Sequence, residues 1–169
     1  MRRILLLPVC TMLLILTAAD APSALEGNVG KPLKISGTTL DGKDFSSDQW
    51  KGKVVLVDFW ATWCGPCVKE MPNVKKIYDQ YHDKGLEIVG VSSDFKPELL
   101  KKFLAEHAEY SWPQLFDPKS AKEQEMHPLT ESLKIDALPV MILIDKQGIC
   151  RSVKAADEME TLVPKLLAE

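Results

Sequence analysis

Two cysteines stand three residues apart in the segment Trp63-Cys64-Gly65-Pro66-Cys67. A buried strand is predicted before this segment and a helix after it, which places Cys64 where the helix begins. Unpaired backbone N–H groups and the helix dipole stabilise a thiolate at such a position. The thiolate is the attacking species in disulfide exchange, and Cys67, one helical turn further on, can resolve a mixed disulfide. The spacing therefore predicts a redox-active pair, with Trp63 as a partly exposed wall beside it and Trp60 in the core.

A zinc site and a purely structural disulfide are the alternatives for this pair. Structural zinc needs four ligands, commonly from a second CxxC or a histidine pair. The other candidate ligands are scattered along the chain: Cys150, His82, His107 and His127. A disulfide across three residues closes a tiny ring and restricts little chain entropy. Both alternatives are disfavoured, no metal is expected, and Cys150 is predicted to be a small apolar residue of a hairpin strand.

Two acidic residues are predicted near the pair. Asp58 is the one charged residue in the apolar run Val54–Trp60. Burial of this carboxyl without a partner would raise its pKa. Glu70 lies one helical turn past Cys67, which brings it near that sulfur, although a glutamate on a helix usually faces solvent.

Hydrophobic periodicity predicts the elements that position these residues. The run at 54–60 is rich in β-branched and aromatic residues, which is typical of a central strand buried on both faces. A helix is predicted from Cys64 to Lys84, with a kink at Pro72 and an end at Gly85. The later elements in chain order are strand 86–91, helix 97–107, strand 114–116, broken helix 119–133, strand 140–144, strand 149–153 and helix 157–168.

Three further details belong to this prediction. Asp41-Gly42 is a hairpin turn signal between a strand at 31–36 and a second one at 44–45. Helix 97–107 is expected to turn Leu99 and Leu100 inward, and a bend or break is expected at Pro164. Strands that alternate with helices, followed by an antiparallel hairpin and a last helix, predict an α/β fold with a mixed central sheet.

The first 24 residues are predicted to be a targeting segment. Arg2 and Arg3 supply positive charge, residues 4–17 are almost wholly apolar, and small residues follow. This order of charged, apolar and small residues is typical of a secretory signal peptide. The apolar run is short for a membrane span, which needs about 20 apolar residues. An uncleaved N-terminal anchor is the alternative. Residues 25–169 then form one domain in the periplasm or another extracytoplasmic compartment, and a net charge of −3 gives no basis for nucleic-acid binding.

The segment 57–67, Val-Asp-Phe-Trp-Ala-Thr-Trp-Cys-Gly-Pro-Cys, resembles the active-site segment of thioredoxins. Together with the following Val68-Lys69-Glu70-Met71-Pro72 it is more similar still to the TlpA/ResA family, exported thioredoxin-like relatives of the AhpC/TSA redoxins. The resemblance extends from Val29 to the C-terminus and includes Leu138-Pro139-Val140. It implies a thioredoxin fold with an N-terminal β-hairpin extension and a central strand–helix insertion over 86–116.

The resemblance also implies roles for individual residues. Cys64 and Cys67 would be the redox pair, Asp58 would relay the proton of Cys67, and Glu70 would be an acid–base group. Asp58 follows the thioredoxin pattern at a position where many TlpA-type proteins carry asparagine. Pro139 would form a cis bond, which an X–Pro pair before a buried strand allows. The residues implied to contact a substrate are Trp63, Gly65, Pro66, Leu138 and Pro139. No cofactor is implied beyond the redox-active disulfide itself.

These observations predict a dithiol reductase of exported proteins. By resemblance, apocytochrome c is one substrate and a membrane thiol transporter is the electron donor. An oxidant or isomerase of the same fold is an alternative, although the Gly-Pro dipeptide argues against it. A thiol peroxidase is disfavoured because Ala61 stands where its threonine is expected, and Arg151 is the only arginine of residues 25–169. A non-enzymatic binding module is disfavoured by the intact CxxC.

Overall fold

The computed structural model describes residues 24–169. The predicted leader, residues 1–24, lies outside this range except for Ala24. Within residues 24–169, no helix is both long and apolar enough to cross a lipid bilayer.

A five-stranded mixed sheet forms the centre of the molecule. Its strands are β3 (Val54–Trp60), β4 (Leu86–Ser92), β5 (Gln114–Phe116), β6 (Val140–Ile144) and β7 (Cys150–Ser152), after a separate hairpin of β1 (Ser36–Thr38) and β2 (Asp44–Ser46). The strand order in the sheet is β5–β4–β3–β6–β7. β3 runs parallel to β4 and antiparallel to β6, β4 runs parallel to β5, and β6 runs antiparallel to β7. The predicted mixed α/β architecture and the early hairpin are confirmed.

β3 lies at the centre of this sheet, and all of its residues are buried. Val57 and Phe59 face the apolar cluster beneath the hairpin, whereas Leu56 and Trp60 face the opposite side. Side chains alternate between the two faces of a strand, so Asp58 belongs to the face of Leu56 and Trp60. Full burial of a valine, leucine or phenylalanine side chain contributes about 1.5–3 kcal/mol. The apolar neighbours in β3 therefore outweigh the cost of burying one carboxyl.

Helices cover both faces of the sheet. They are α1 (Gly65–Tyr81), α2 (Pro97–Glu106), α3 (Pro118–Glu123), α4 (Pro128–Ser132) and α5 (Ala155–Ala168). α1 and α5 pack on the face of Leu56 through Val74 and Val163. The hairpin and α4 pack on the other face. A turn of 3-10 helix extends α1 to Gly85, whose φ of +107° is a left-handed conformation that favours glycine. This confirms the predicted end of that helix.

Two local predictions are wrong, and the break considered at Pro164 is absent from α5. The first strand begins at Ser36 rather than Lys31, because residues 30–33 bond to the end of the sheet, where the N–H of Cys150 donates to the Lys31 carbonyl. Leu99 is 51% exposed, whereas Leu100, the other leucine expected to face inward, is buried. α5 runs unbroken through Pro164. Pro164 has no N–H to donate to the carbonyl of Glu160, four residues earlier. Glu160 is exposed, so water can donate a hydrogen bond to this carbonyl instead.

Candidate active site

Cys64 and Cys67 are joined by a disulfide at the amino-terminal end of α1. Cys64 is the N-cap residue, and its Sγ accepts a hydrogen bond of 3.3 Å from the backbone N–H of Cys67. Pro66 follows in the first turn, where a proline is tolerated because the N–H groups of that turn have no partner within the helix. The pair thus lies at the strand–helix junction that the sequence predicts.

The two cysteines differ in their place on the helix, although both are buried in one apolar cluster, with exposures of 6% for Cys64 and 2% for Cys67. Cys64 is the N-cap residue and has the exposed residues Trp63 and Gly65 on either side in the chain. In the reduced form, the positive end of the α1 dipole favours the thiolate at Cys64. The arrangement suits Cys64 as the attacking thiol and Cys67 as the thiol that resolves a mixed disulfide.

Asp58 lies in the middle of β3 on the face covered by α1. The side chain is 1% exposed, and no donor among residues 24–169 bonds its Oδ1. Burial, with a smaller contribution from the charge of Glu70, raises the pKa of this carboxyl to about 7. A carboxyl with a pKa near neutrality can both accept and return a proton at ordinary pH. The burial of this carboxyl expected from the sequence is confirmed.

Glu70 lies on α1, one turn after Cys67, and is partly exposed. Its Oε1 accepts a hydrogen bond of 3.0 Å from Nδ2 of Asn73. Its negative charge contributes to the raised pKa of Asp58, so the two carboxyls interact electrostatically. A direct acid–base role of Glu70 stays a prediction.

A cis peptide bond joins Leu138 to Pro139 immediately before β6. The first residue of β6, Val140, pairs with Phe59 of β3, so this bond lies at the same end of the sheet as the disulfide. Leu138 packs against the apolar cluster that contains both cysteines. The predicted cis-proline is confirmed, whereas a substrate-binding role of Leu138 and Pro139 stays a prediction.

Trp60 and Trp63 occupy the surroundings expected from the sequence. Trp60 is completely buried, and its Nε1 donates a hydrogen bond of 2.9 Å to Oε1 of Gln114. Gln114 reaches this position across Gly90, where an added Cβ would come within 1.9 Å of the amide oxygen. Trp63 is 52% exposed beside Cys64.

The segment Ser92–Phe95, at the end of β4, was not identified from the sequence. The carboxylate of Asp94, 2% exposed, accepts hydrogen bonds from the backbone N–H of Thr62 at 3.1 and 3.2 Å, from the Thr62 hydroxyl, and from Ser92 Oγ at 2.9 Å. The Ser93 N–H donates to the Trp60 carbonyl at 2.9 Å. These bonds fix the loop before Cys64. The sequence does carry a signal for this segment. Its polar residues follow the carboxyl end of a buried strand that neighbours the strand before the CxxC, a position typical of a functional site.

Removal of the Thr62 hydroxyl tests how much its hydrogen bond to Asp94 contributes to the stability of the protein. Thr62→Val keeps the side-chain shape but takes one donor away from a buried carboxylate, which is expected to lower the free energy of unfolding by about 1–3 kcal/mol. Urea unfolding of the oxidised protein measures the change. Thr161→Val on the exposed side of α5 is the matched control, because Thr161 Oγ1 donates to a carbonyl in a solvated position. Equal losses in the two variants would contradict the anchoring role of Thr62.

The remaining candidate ligands take structural positions. Cys150 is fully buried in β7, and burial raises the pKa of its thiol. His127 caps α4 by accepting the N–H of Leu129 at Nδ1, and burial lowers its pKa to about 4. Within residues 24–169, no group of three or more histidine, cysteine or acidic side chains is arranged to hold a metal ion.

Comparison with known families and relatives identifies the same kind of protein in each case. The family model named Redoxin matches residues 20–168. The thiol-disulfide oxidoreductase ResA of Bacillus thuringiensis is 32% identical over 126 residues, which cover 74% of this chain and 68% of that relative.

Solved structures agree with these matches. A thiol:disulfide interchange protein from a Bacteroides species is 34% identical with a TM-score of 0.69, over 83% of this chain and 91% of the other. The thioredoxin domain of a thiol-disulfide oxidoreductase from Bacteroides vulgatus is 35% identical with a TM-score of 0.64, over 80% of this chain and 97% of that domain. Both likenesses span nearly the whole of the related structure.

Proposed function

Because this chain belongs to the Redoxin family and has the thioredoxin fold, we infer that it is a thiol–disulfide oxidoreductase, and we propose that it reduces disulfide bonds of exported proteins. The observation that carries this proposal is the Cys64–Cys67 disulfide at the start of α1, on the face of the sheet that buries Asp58. It supplies a redox pair and a proton acceptor in one place.

The reaction proceeds by two exchanges of sulfur–sulfur bonds. The Cys64 thiolate attacks a sulfur of the partner disulfide, forms a mixed disulfide and releases the first partner sulfur as a thiolate. Asp58 then takes the proton of Cys67, and the Cys67 thiolate attacks Cys64 Sγ. The second partner sulfur leaves and is protonated. Two electrons have passed from the Cys64–Cys67 dithiol to the partner, and a dithiol donor must return them before the next cycle.

The surface around Cys64 supplies the contacts to the partner. Trp63, Gly65 and Pro66 are exposed next to the attacking sulfur, and Leu138 with Pro139 forms an edge at the same end of the sheet. We assign these residues to the binding of the partner polypeptide. Glu70 is assigned an auxiliary role, in which its negative charge adds to the effect of burial in raising the pKa of Asp58.

The cellular setting is part of the proposal. Residues 1–24 direct the chain across the inner membrane and are removed or kept as an anchor, and residues 25–169 act on the extracytoplasmic side. Exported proteins, including apocytochrome c during its maturation, are the substrates. A membrane thiol transporter supplies the electrons, and no cofactor beyond the redox-active disulfide is needed.

The reduction potential of the Cys64–Cys67 pair tests the direction of electron flow. The purified protein, equilibrated in glutathione or dithiothreitol redox buffers, is expected to show a two-electron couple near the thioredoxin value of about −270 mV. Alkylation of free thiols measures the reduced fraction. A potential near the value of DsbA, about −120 mV, would instead assign the protein to disulfide formation.

A further inference from the structure

Two large apolar side chains beside the disulfide remain exposed. Trp63 is 52% and Phe95 is 36% exposed, and their rings stack with centroids 5.6 Å apart and an angle of 12° between the planes. The other exposed large apolar residues among 24–169 are Val29 and Leu99. An exposed aromatic pair next to a reactive sulfur is costly in water and is typical of an interaction site.

Hydrogen bonds to the segment Ser92–Phe95 hold the stacked rings of Trp63 and Phe95, here called the ring pair, in place. Trp63 Nε1 donates a hydrogen bond of 3.3 Å to the carbonyl of Ser93, and Asp94 bonds the backbone and hydroxyl of Thr62. Phe95 follows Asp94 directly in the chain. Rings fixed in this way lose little conformational entropy when a partner packs on them. Less of the free energy of apolar contact is therefore offset on binding.

The topology places the ring pair and the cis-proline on opposite sides of Cys64. β4 lies on one side of β3 and β6 on the other. Ser92 of β4 pairs with Trp60, and Val140 of β6 pairs with Phe59. The segment that carries Phe95 therefore leaves β4 at the end where Pro139 enters β6, and the disulfide loop that follows β3 lies between them.

We propose that the Trp63–Phe95 ring pair is a second half of the partner-binding surface and binds an apolar side chain close to the cysteine of a partner polypeptide. This inference rests on the proposed function, because the partner disulfide must reach Cys64. A polypeptide that contacts Pro139 on one side can cross Cys64 and reach the ring pair on the other. A small disulfide is too short to contact both sides, so the surface selects protein disulfides with apolar flanking residues.

A pair of matched peptides tests this selectivity. Two disulfide-bonded peptides are compared that differ only in the residue before one cysteine, which is leucine in one and serine in the other. The reduced full-length protein is mixed with each peptide in a single turnover, and alkylation of the released thiols gives the second-order rate constant. The unmodified protein is expected to prefer the leucine peptide by about tenfold, the effect of one buried apolar contact at an interface.

Phe95→Ala is expected to reduce this preference to about twofold, because the partner side chain loses half of its platform. Phe95→Leu, which keeps an apolar surface, is expected to retain most of the preference and guards against a folding defect in the alanine variant. Val29→Ala is the control, since Val29 is 46% exposed and its neighbour Gly30 bonds Cys150 at the far edge of the sheet. It is expected to keep the full preference.

Two outcomes would overturn this inference alone. A preference that is unchanged in Phe95→Ala would show that Phe95 does not contact the partner. An equal slowing of Phe95→Ala with both peptides and with hydroxyethyl disulfide would show an effect on Cys64 reactivity instead of recognition. In both cases the unmodified protein still reduces the peptides, so the proposed function stands. Failure of the unmodified protein to reduce either peptide or hydroxyethyl disulfide would overturn the proposed function itself, and with it this inference.

Discussion

Replacement of Cys64 by serine is expected to lower the rate of disulfide reduction by more than about 1000-fold, because a serine hydroxyl does not form the nucleophilic anion that the helix N-terminus stabilises in a thiol. Single-turnover reduction of a disulfide-bonded peptide by the pre-reduced protein measures the loss. Cys67→Ser keeps the attacking thiol but removes the resolving one. This second variant is expected to accumulate a stable mixed disulfide with the peptide, visible by mass spectrometry as a covalent adduct.

The third cysteine of residues 24–169 provides the control for this pair of variants. Cys150 is fully buried in β7, and burial raises the pKa of its thiol, which makes the thiolate scarce. Cys150→Ala is therefore expected to react at the unmodified rate. Retention of the activity in Cys64→Ser, or a mixed disulfide that forms on Cys67 when Cys64 is present, would contradict the assignment of Cys64 as the attacking thiol.

Replacement of Asp58 by asparagine is expected to stabilise the oxidised protein at pH 8 but hardly at pH 4. The pKa of the buried carboxyl is raised from 3.8 to about 7. Below pH 3.8 the folded and unfolded forms are both protonated, and burial carries no charge penalty. Between these values the unfolded form ionises while the folded form keeps its proton, so the stability of the native protein falls as the pH rises. Above pH 7 the penalty is complete.

The size of the effect follows from the shift. A shift of about 3 pKa units corresponds to about 4 kcal/mol, since each unit is worth about 1.4 kcal/mol. The difference in free energy of unfolding between Asp58→Asn and the unmodified protein is thus expected to grow by about 4 kcal/mol from pH 4 to pH 8. Urea unfolding of the oxidised proteins at pH 4, 6 and 8 measures this difference.

Two other carboxyls sharpen the Asp58 test. Asp136 is exposed, and Asp136→Asn is the control, with a difference expected within about 0.5 kcal/mol at every pH. Glu70→Gln removes the charge that contributes to the raised Asp58 pKa, so the pH at which stability falls is expected to move downward. A difference for Asp58→Asn that does not change with pH would show that the carboxyl ionises normally in the folded protein.

The same Asp58 variant separates stability from catalysis. If Asp58 accepts the Cys67 proton, its loss is expected to lengthen the lifetime of the mixed disulfide at pH 7 by about 100-fold, the lower range of general-base effects. Attack by Cys64 on the partner is expected to change much less. Rapid quenching of the single turnover resolves the two steps, and an unchanged lifetime would remove Asp58 from the proton transfer.

Much of the framework could be predicted from the sequence because its signals are local. The apolar run at 54–60 sets the bounds of β3, and the same holds for β5 and β6. Cys64 at the start of a helix and the pattern that ends that helix at Gly85 are also encoded within a few residues. In these segments periodicity decides which side is buried, and each hydrogen bond of a helix joins residues four apart.

The parts that the sequence did not predict depend on contacts between distant segments. Asp94 bonds Thr62 across 32 positions, and Gln114 bonds Trp60 across 54. Leu99 has helical spacing suited to the core but lies on the exposed side of α2, and residues 30–33 pair with the end of β7 instead of continuing β1.

The sequence by itself determined the redox pair, the strand and helix that carry it, and the burial of Asp58. Each of these depends on residue types that are close together in the chain. The tertiary structure alone decided that Phe95 stacks on Trp63 and that Pro139 stands across Cys64 from them. The reason is the order of strands in the sheet, with β4 and β6 on either side of β3. That order results from the packing of the whole domain. It brings together residues that are far apart in the chain and whose proximity no local sequence pattern predicts.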